Sequence, residues 1–311
     1  MNFSHQPVMV DEVIEYLITD PKGIYIDGTA GTGGHSIEIC RRINTDGRLI
    51  CLDVDRAAIK LANERLSQFK NVATVVKGSY VNLGVILKKI GVGKVNGILL
   101  DLGMSSYQLE SSGKGFSFSR DEPLDMRMDE DMDVTADELV NNLSREKLEA
   151  LIWNYAQERW AKRISKAILK ERRKCSIHSS KQLAMLIGAA IPDKYHPRSI
   201  HPATKTFQAL RIAVNRELDN ISDFLKSAPQ LLERGGRLVV LSYHSLEDRI
   251  IKHTFRRWDS GTIYPRRLPV IPEGKHSVMK AVERKAIKPS AKEVNFNPRS
   301  RSAILRIAER V

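Results

Sequence analysis

Cysteine is scarce in this 311-residue chain: only Cys40, Cys51 and Cys175, scattered and without a C-x-x-C pair. An odd, dispersed set offers no disulfide framework and no zinc-ligand spacing, so a reducing compartment and no metal site are expected. Long apolar runs are missing as well, none nearing the roughly 20 residues of a bilayer-spanning helix. The first residues, Met1-Asn2-Phe3-Ser4-His5-Gln6, lack a basic segment followed by an apolar one, so no secretory leader is expected. Together these absences point to a cytoplasmic protein with no membrane partner. Acid is also in deficit, with 37 Asp and Glu against 50 Lys and Arg, a net charge of +13. The composition is otherwise that of a globular protein, at 42% hydrophobic and 28% charged residues. Its length suffices for one large or two ordinary domains.

The positive charge is gathered rather than spread. Residues 145–181 hold eleven Lys and Arg against four acids, and residues 281–311 hold eight against three. Residues 101–135 reverse the sign, three against nine. Basic blocks of this kind suit an anionic polymer; a solubility bias is the plain alternative.

Apolar spacing predicts a helix over 8–18, then a strand over 23–27. A helix over 36–43 leads to Arg48-Leu49-Ile50-Cys51-Leu52-Asp53, a continuous apolar run that suits a strand buried on both faces. A helix over 57–69 and strands over 72–76 and 97–101 continue the alternation, which argues for a parallel sheet. After Asp101 the rhythm breaks. Residues 105–133 are rich in Gly, Ser and acids without a clean period, and capping-box signals at Thr135–Glu138 and Ser179–Gln182 open a mostly helical stretch over 136–213. A helix over 218–232, a Gly235-Gly236 turn, a strand over 237–242 and a helix over 246–258 return to the sheet pattern. Residues 260–298 read as irregular, and 302–308 as a last strand. The expectation is a doubly wound α/β sheet built from 1–104 and 216–311, interrupted by a helical insertion at 105–215.

The segment Ile24-Tyr25-Ile26-Asp27-Gly28-Thr29-Ala30-Gly31-Thr32-Gly33-Gly34-His35 is a strand, a glycine-rich turn and a helix start. That succession holds nucleotide-like cofactors at the carboxyl ends of strands. Ser36 stands where the third glycine of the dinucleotide fingerprint belongs, so that reading is weak. S-adenosylmethionine needs the same close backbone approach, with an acid ending the first strand (Asp27) and a ribose acceptor ending the second. Asp53 serves as that acceptor for either cofactor, with Asp55 a competitor. A nicotinamide oxidoreductase and a non-catalytic RNA-binding protein remain as rivals.

The loop Asp27–Ser36 resembles that of the bacterial 16S ribosomal RNA cytosine-N4 methyltransferases, the RsmH or MraW family. So do residues 97–106 (GILLDLGMSS), Pro123-Leu124-Asp125-Met126-Arg127-Met128, residues 201–211 (HPATKTFQALR), residues 242–249 (SYHSLEDR) and residues 297–302 (NPRSRS), in the same order over nearly the whole chain. Thr29 departs from methyltransferases at large, many of which carry a glycine there. The resemblance implies a Rossmann-like S-adenosylmethionine-dependent methyltransferase sheet with an inserted helical domain for RNA recognition. It implies Gly33, Gly34 and His35 in the cofactor loop, Asp53 on the ribose, and Tyr80, Asp101 and Gln108 as the remaining cofactor contacts. The implied reaction methylates the exocyclic N4 amine of a cytosine in the decoding region of 16S rRNA, with the small ribosomal subunit as substrate. A homodimer is left open.

For that chemistry Asp101 and the backbone carbonyls of Leu102–Ser105 are expected around the amino group. Asp-Leu-Gly-Met replaces the (Asp/Asn)-Pro-Pro-aromatic motif of many amino-methyltransferases, so the stacking aromatic must come from elsewhere: Tyr243, Phe116 or Phe118. His244 is a candidate proton relay, with a structural hydrogen-bonded histidine as the alternative. Carbon-5 methylation would need a thiolate, and none follows the fourth strand. For RNA, the expected contacts are Arg159, Lys162, Arg163, Lys166, Lys170, Arg172, Arg173 and Lys174, flanked by Arg256, Arg257, Arg266, Arg267, Arg299 and Arg301.

Overall fold

The computed structural model describes residues 6–197, 200–260 and 277–311. Seven strands form one sheet: β1 (Ile24–Asp27), β2 (Arg48–Asp53), β3 (Ala73–Lys77), β4 (Val95–Asp101), β5 (Leu232–Ser242), β6 (Met279–Ala281) and β7 (Ile304–Arg310). Their order is β3-β2-β1-β4-β5-β7-β6. The first five are mutually parallel, and β7 and β6 are antiparallel additions at one edge. The helices, in chain order, are α1 (Val10–Leu17), α2 (Gly34–Arg42), α3 (Arg56–Leu66), α4 (Leu83–Lys89), α5 (Ser106–Ser111), α6 (Ala136–Asn142), α7 (Arg145–Ala156), α8 (Ala161–Arg172), α9 (Ser180–Ala190), α10 (Thr204–Asn215), α11 (Glu217–Leu231), α12 (Ser245–Asp259) and α13 (Ala291–Phe296). No helix among the described residues is long and apolar enough to cross a membrane.

The chain divides into two compact units, 1–103 with 218–311, and 104–217. In the first, the central strands are largely buried and feed apolar side chains into a core on each face. Ile26, Ile50, Leu52, Ile98 and Leu100 enter one core, and Tyr25, Leu49, Cys51, Leu99 and Val239 enter the other. This is the Rossmann-like α/β sheet expected from the alternation of apolar runs. In the second unit, α6–α10 close around Leu148, Ile152, Ile164, Ile168, Leu183 and Leu210. Thr135 and Glu138 form the expected capping box, each satisfying the other's backbone N–H. Ser179 caps α9 as expected, but Gln182 turns to accept the His178 N–H instead of completing the box.

Two expectations need correction. The segment over 260–298 is not irregular throughout: it contributes β6 and α13, while residues 261–276 lie outside the described residues. The Gly235-Gly236 turn does not precede β5 but lies within it. Val95 pairs with Leu232 and Gly97 with Arg237, so residues 233–236 bulge from the ladder. Gly235 takes φ +76°, and a Cβ on Gly236 would lie 2.9–3.1 Å from three carbonyl oxygens.

Candidate active site

Parallel strands present their carboxyl ends at one edge, and here three of them end in an acid: Asp27 on β1, Asp53 on β2 and Asp101 on β4. Asp27 is buried, and its carboxylate is spent on the loop that follows. It accepts the Ser36 hydroxyl at 2.6 Å and the Thr29 N–H at 3.3 Å. Burial outweighs these bonds and raises its pKa above the ordinary range. The loop itself is stitched between strands: Gly28 N–H donates to the Leu99 carbonyl at 2.9 Å and Ala30 N–H to the Leu52 carbonyl at 2.8 Å. A side chain at Gly28 would meet Leu100 at 2.6 Å and the Tyr80 Cβ at 3.2 Å. Gly33 turns the chain into α2 at φ +83°, and Pro7 packs onto Gly34.

Asp53 reaches back to the same loop. One oxygen accepts the Gly31 N–H at 2.7 Å and the other the Asp55 N–H at 2.9 Å, and each keeps a second lone pair. Burial, partly offset by these two bonds, pushes its pKa up to about 6. The carboxylate of Asp55, the neighbouring candidate, caps α3 through the Ala57 and Ala58 N–H groups.

Asp101 is held on three sides. Its backbone N–H donates to the Thr29 hydroxyl at 2.6 Å, which ties the loop to β4 and gives Thr29 a task no glycine there performs. One carboxylate oxygen accepts the Tyr243 hydroxyl at 2.6 Å, and the other lies 3.4 Å from His35 Nδ1. The opposite ring nitrogen of His35 lies 2.9 Å from the Val8 carbonyl, which only accepts, so Nε2 carries a hydrogen. A hydrogen on Nδ1 as well then suits the facing carboxylate. Burial opposes that charge and is the largest influence on His35. The hydrogen bond and charge of Asp101, the charge of Asp27 and the Val8 carbonyl together outweigh it and raise the pKa. Tyr243 is pushed well above its usual range by burial and by the Asp101 charge, so it stays a donor. His35, Asp101 and Tyr243 thus form one hydrogen-bonded chain across the strand ends. Tyr243, expected as a stacking ring, acts here through its hydroxyl. Its hydroxyl contact spans 142 positions, and no local pattern announces it.

The remaining site candidates fall as follows. Tyr80 sits just past β3 beside Gly28, edge-on to Phe224 with ring centroids 5.5 Å apart. His244 caps α12: Nδ1 accepts the Glu247 N–H at 3.4 Å while Glu247 accepts the Tyr243 and His244 N–H groups. The other ring nitrogen of His244, Nε2, is buried and lies 3.3 Å from Glu247 Oε1. Gln108 belongs to the helical unit, where it is buried and forms a capping box with Ser105 at the start of α5. Phe116 is in that unit's core, and Phe118 lies against His201 and Phe207 at 4.5 and 5.1 Å. Cys51 is buried with its thiol 3.4 Å from Ser36 Oγ, and burial pushes Cys40 up to about 12 and Cys51 well above its ordinary value. Of the basic block, Arg172 is structural, donating to the Val140 and Leu143 carbonyls at 2.7 Å each. Lys174 is exposed and pairs with Glu171, while Arg159, Lys162, Arg163, Lys166, Lys170 and Arg173 face solvent. In the second flank Arg256, Arg257 and Arg301 are exposed and Arg299 is half-buried; Arg266 and Arg267 lie outside the described residues.

This edge discriminates between cofactors by charge. A pyrophosphate would confront three carboxylates, at a helix start already faced by Asp27 and packed by Pro7. A cationic sulfonium nucleoside would find the carboxylates favourable, a ribose acceptor in Asp53, and a loop whose glycines admit close approach.

Comparison with known proteins gives a match to the MraW methylase family over residues 2–311. "Ribosomal RNA small subunit methyltransferase H" of Thermosipho melanesiensis is 46% identical over 311 residues, covering 100% of this chain and 99% of its own length. The proteins of that name from Geotalea uraniireducens and Clostridioides difficile are 44% identical over 310 residues and 42% over 311, covering 100% of this chain and 99% and 100% of their own lengths.

Proposed function

The chain belongs to the MraW methylase family, and we propose that it methylates the exocyclic N4 amine of a cytosine in the decoding region of 16S ribosomal RNA, with the small subunit as its substrate. The methyl donor is S-adenosylmethionine, which supplies an electrophilic methyl group on a sulfonium. Asp53 accepts from the ribose hydroxyls, while Gly33, Gly34 and the backbone from Gly28 to Gly31 let the nucleoside lie close to the strand ends. Tyr80 borders the loop where the adenine belongs. The helical unit takes the part of RNA recognition.

The observation that carries this reading is the way Asp101 is oriented. An exocyclic amino nitrogen is a poor nucleophile because its lone pair is delocalised into the ring. Asp101 accepts one amino hydrogen, which favours the pyramidal nitrogen needed for in-line attack. The Tyr243 hydroxyl and His35 fix the carboxylate in advance, so little reorganisation is needed at the moment of transfer. The nitrogen lone pair forms the new N–C bond as the methyl–sulfur bond breaks with its electrons left on sulfur, and one N–H proton leaves to water. No thiolate is called on, in keeping with the buried, protonated Cys51.

Isothermal titration with S-adenosylmethionine and with NADH separates this reading from the oxidoreductase. The acid-lined edge binds the sulfonium and not the pyrophosphate. Small subunits from a strain lacking the protein then accept labelled methyl groups in its presence. Uptake of NADH alone, or binding of RNA with no methyl incorporated, overturns the reading.

A further inference from the structure

Within the helical unit, the start of α8 sets a half-buried Trp160 and an exposed Tyr195 together among cations. Trp160, the residue before α8, and Tyr195 have ring centroids 5.2 Å apart, inclined at 44°. The Arg159 guanidinium lies over both rings, 5.2 Å from Trp160 and 4.7 Å from Tyr195. Arg163 lies 5.6 Å from the Trp160 ring, and the Lys194 ammonium 5.0 Å from Tyr195. Tyr195 is 42% exposed. From this platform the cations Arg159, Arg163, Lys166, Lys170 and Arg173 follow one another at alternating steps of four and three residues. That spacing lays them as a single stripe on the exposed side of α8, opposite the buried Ile164 and Ile168. Among the described residues none of the five lies within ion-pair distance of a carboxylate. The stripe is therefore uncompensated charge beginning at a π-face.

We propose that this platform and stripe hold a single-stranded segment of RNA, one base stacked on the Trp160–Tyr195 pair and its phosphates running along α8. The inference rests on the methyltransferase reading only in taking RNA as the substrate. Aromatic faces flanked by guanidinium groups and followed by a cationic track are the means by which proteins hold unpaired strands without reading sequence. A duplex keeps its base faces stacked inside and has nothing to offer the rings. An acidic peptide would match the cations but leave both rings unused. Arg172, whose guanidinium is committed to two carbonyls, takes no part.

The test uses the full-length protein and a fluorescein-labelled oligouridylate of about a dozen nucleotides, long enough for one such site. The expected result is binding to the single strand and weaker binding to its duplex with oligoadenylate. Tyr195→Ala weakens single-strand binding by about 5- to 150-fold, the range for loss of one stacked base, while Tyr195→Phe restores it. Arg159→Glu with Arg163→Glu flattens the slope of log affinity against log salt by about 1.4, two phosphate contacts at 0.7 each. S-adenosylmethionine binding and the thermal midpoint stay at wild-type values in all of these, which separates a lost surface from a lost fold. On small subunits Tyr195→Ala and the double charge reversal raise KM and leave kcat unchanged, while Tyr195→Phe keeps the wild-type KM. Unchanged oligouridylate binding in Tyr195→Ala and in the double charge reversal overturns the inference. So does tighter binding of the duplex, or equal competition by polyglutamate. If the wild type binds oligouridylate through Tyr195 yet methylates no ribosomal RNA, the surface stands and the enzymatic reading falls.

Discussion

Replacing Tyr243 by Phe removes one oxygen and keeps the ring that lies beside Gly103, where an added Cβ would be 3.4 Å from the tyrosine Cδ2. The lost contact is the hydroxyl bond to Asp101 at 2.6 Å, the length of an O–H donor on an ionised acceptor. Bonds to charged partners contribute about 1.5–3 kcal/mol. In a unit of this size that lowers the thermal midpoint by about 3–12 °C. Tyr243 stays protonated well above its ordinary range, so the loss is the same from neutral to mildly alkaline pH. Asp101 keeps His35 but loses the bond that fixes its other oxygen. Misplacement of the proposed amine acceptor is then expected to lower kcat by about ten- to a hundredfold, with S-adenosylmethionine affinity little changed. Scanning calorimetry, isothermal titration and single-turnover methyl transfer read the three quantities separately. A Tyr243→Phe protein with wild-type midpoint and wild-type kcat would refute the reasoning, because the chain of bonds on Asp101 would then hold nothing.

Asp101→Ala removes the acceptor itself and lowers kcat by about 10²- to 10³-fold, the effect of losing one preorganised polar group; donor binding and turnover both near wild type would end its assignment. Asp53, raised to about 6, sets a pH dependence. In the proposed role its ionised form accepts the ribose hydroxyls, so donor affinity measured by titration is expected to fall as pH drops through about 6, and pH-independent affinity there contradicts the role. For the free protein the sign is opposite. The folded state holds a proton that the unfolded chain releases, so this carboxyl destabilises the fold above about pH 6 and the penalty fades towards pH 4. Thr29→Val keeps the shape but leaves the Asp101 N–H without its acceptor, at a cost of about 1–3 kcal/mol in denaturant unfolding, whereas Thr29→Ser costs less. Of the three thiols, Cys175 is exposed and the other two are buried, so a mild thiol reagent labels one site in the native protein, and rapid labelling of Cys51 would contradict the packing at β2.

Much of the sheet was legible because β1, β2 and the second half of β4 are buried apolar runs, each closed by an acid. The helical unit announced itself through caps, as at Thr135 and Glu138. Where legibility failed, the cause was length or distance. β6 is three residues long and leaves no periodic trace, and the bulge at 233–236 is visible only once Val95 and Gly97 are known to pair across it. At the site, Asp53 and Asp55 are equivalent in a string of letters. They part only when one is seen capping α3 and the other holding Gly31. The bond from Tyr243 to Asp101 and the seat of His35 under Val8 join residues far apart in sequence, so only the fold could reveal them. Thr29, a departure when viewed as a loop residue, is explained by a partner on another strand.

The most direct measurement is the identity of the methylated nucleoside. 16S RNA in small subunits is treated with the protein and methyl-labelled S-adenosylmethionine, digested, and resolved by mass spectrometry. An oriented carboxylate, with the Cys51 thiol buried and held protonated, predicts label in N4-methylcytidine, and none when Asp101→Ala replaces the wild type. Label on carbon 5 of cytidine or on another base, or full labelling by Asp101→Ala, would contradict it.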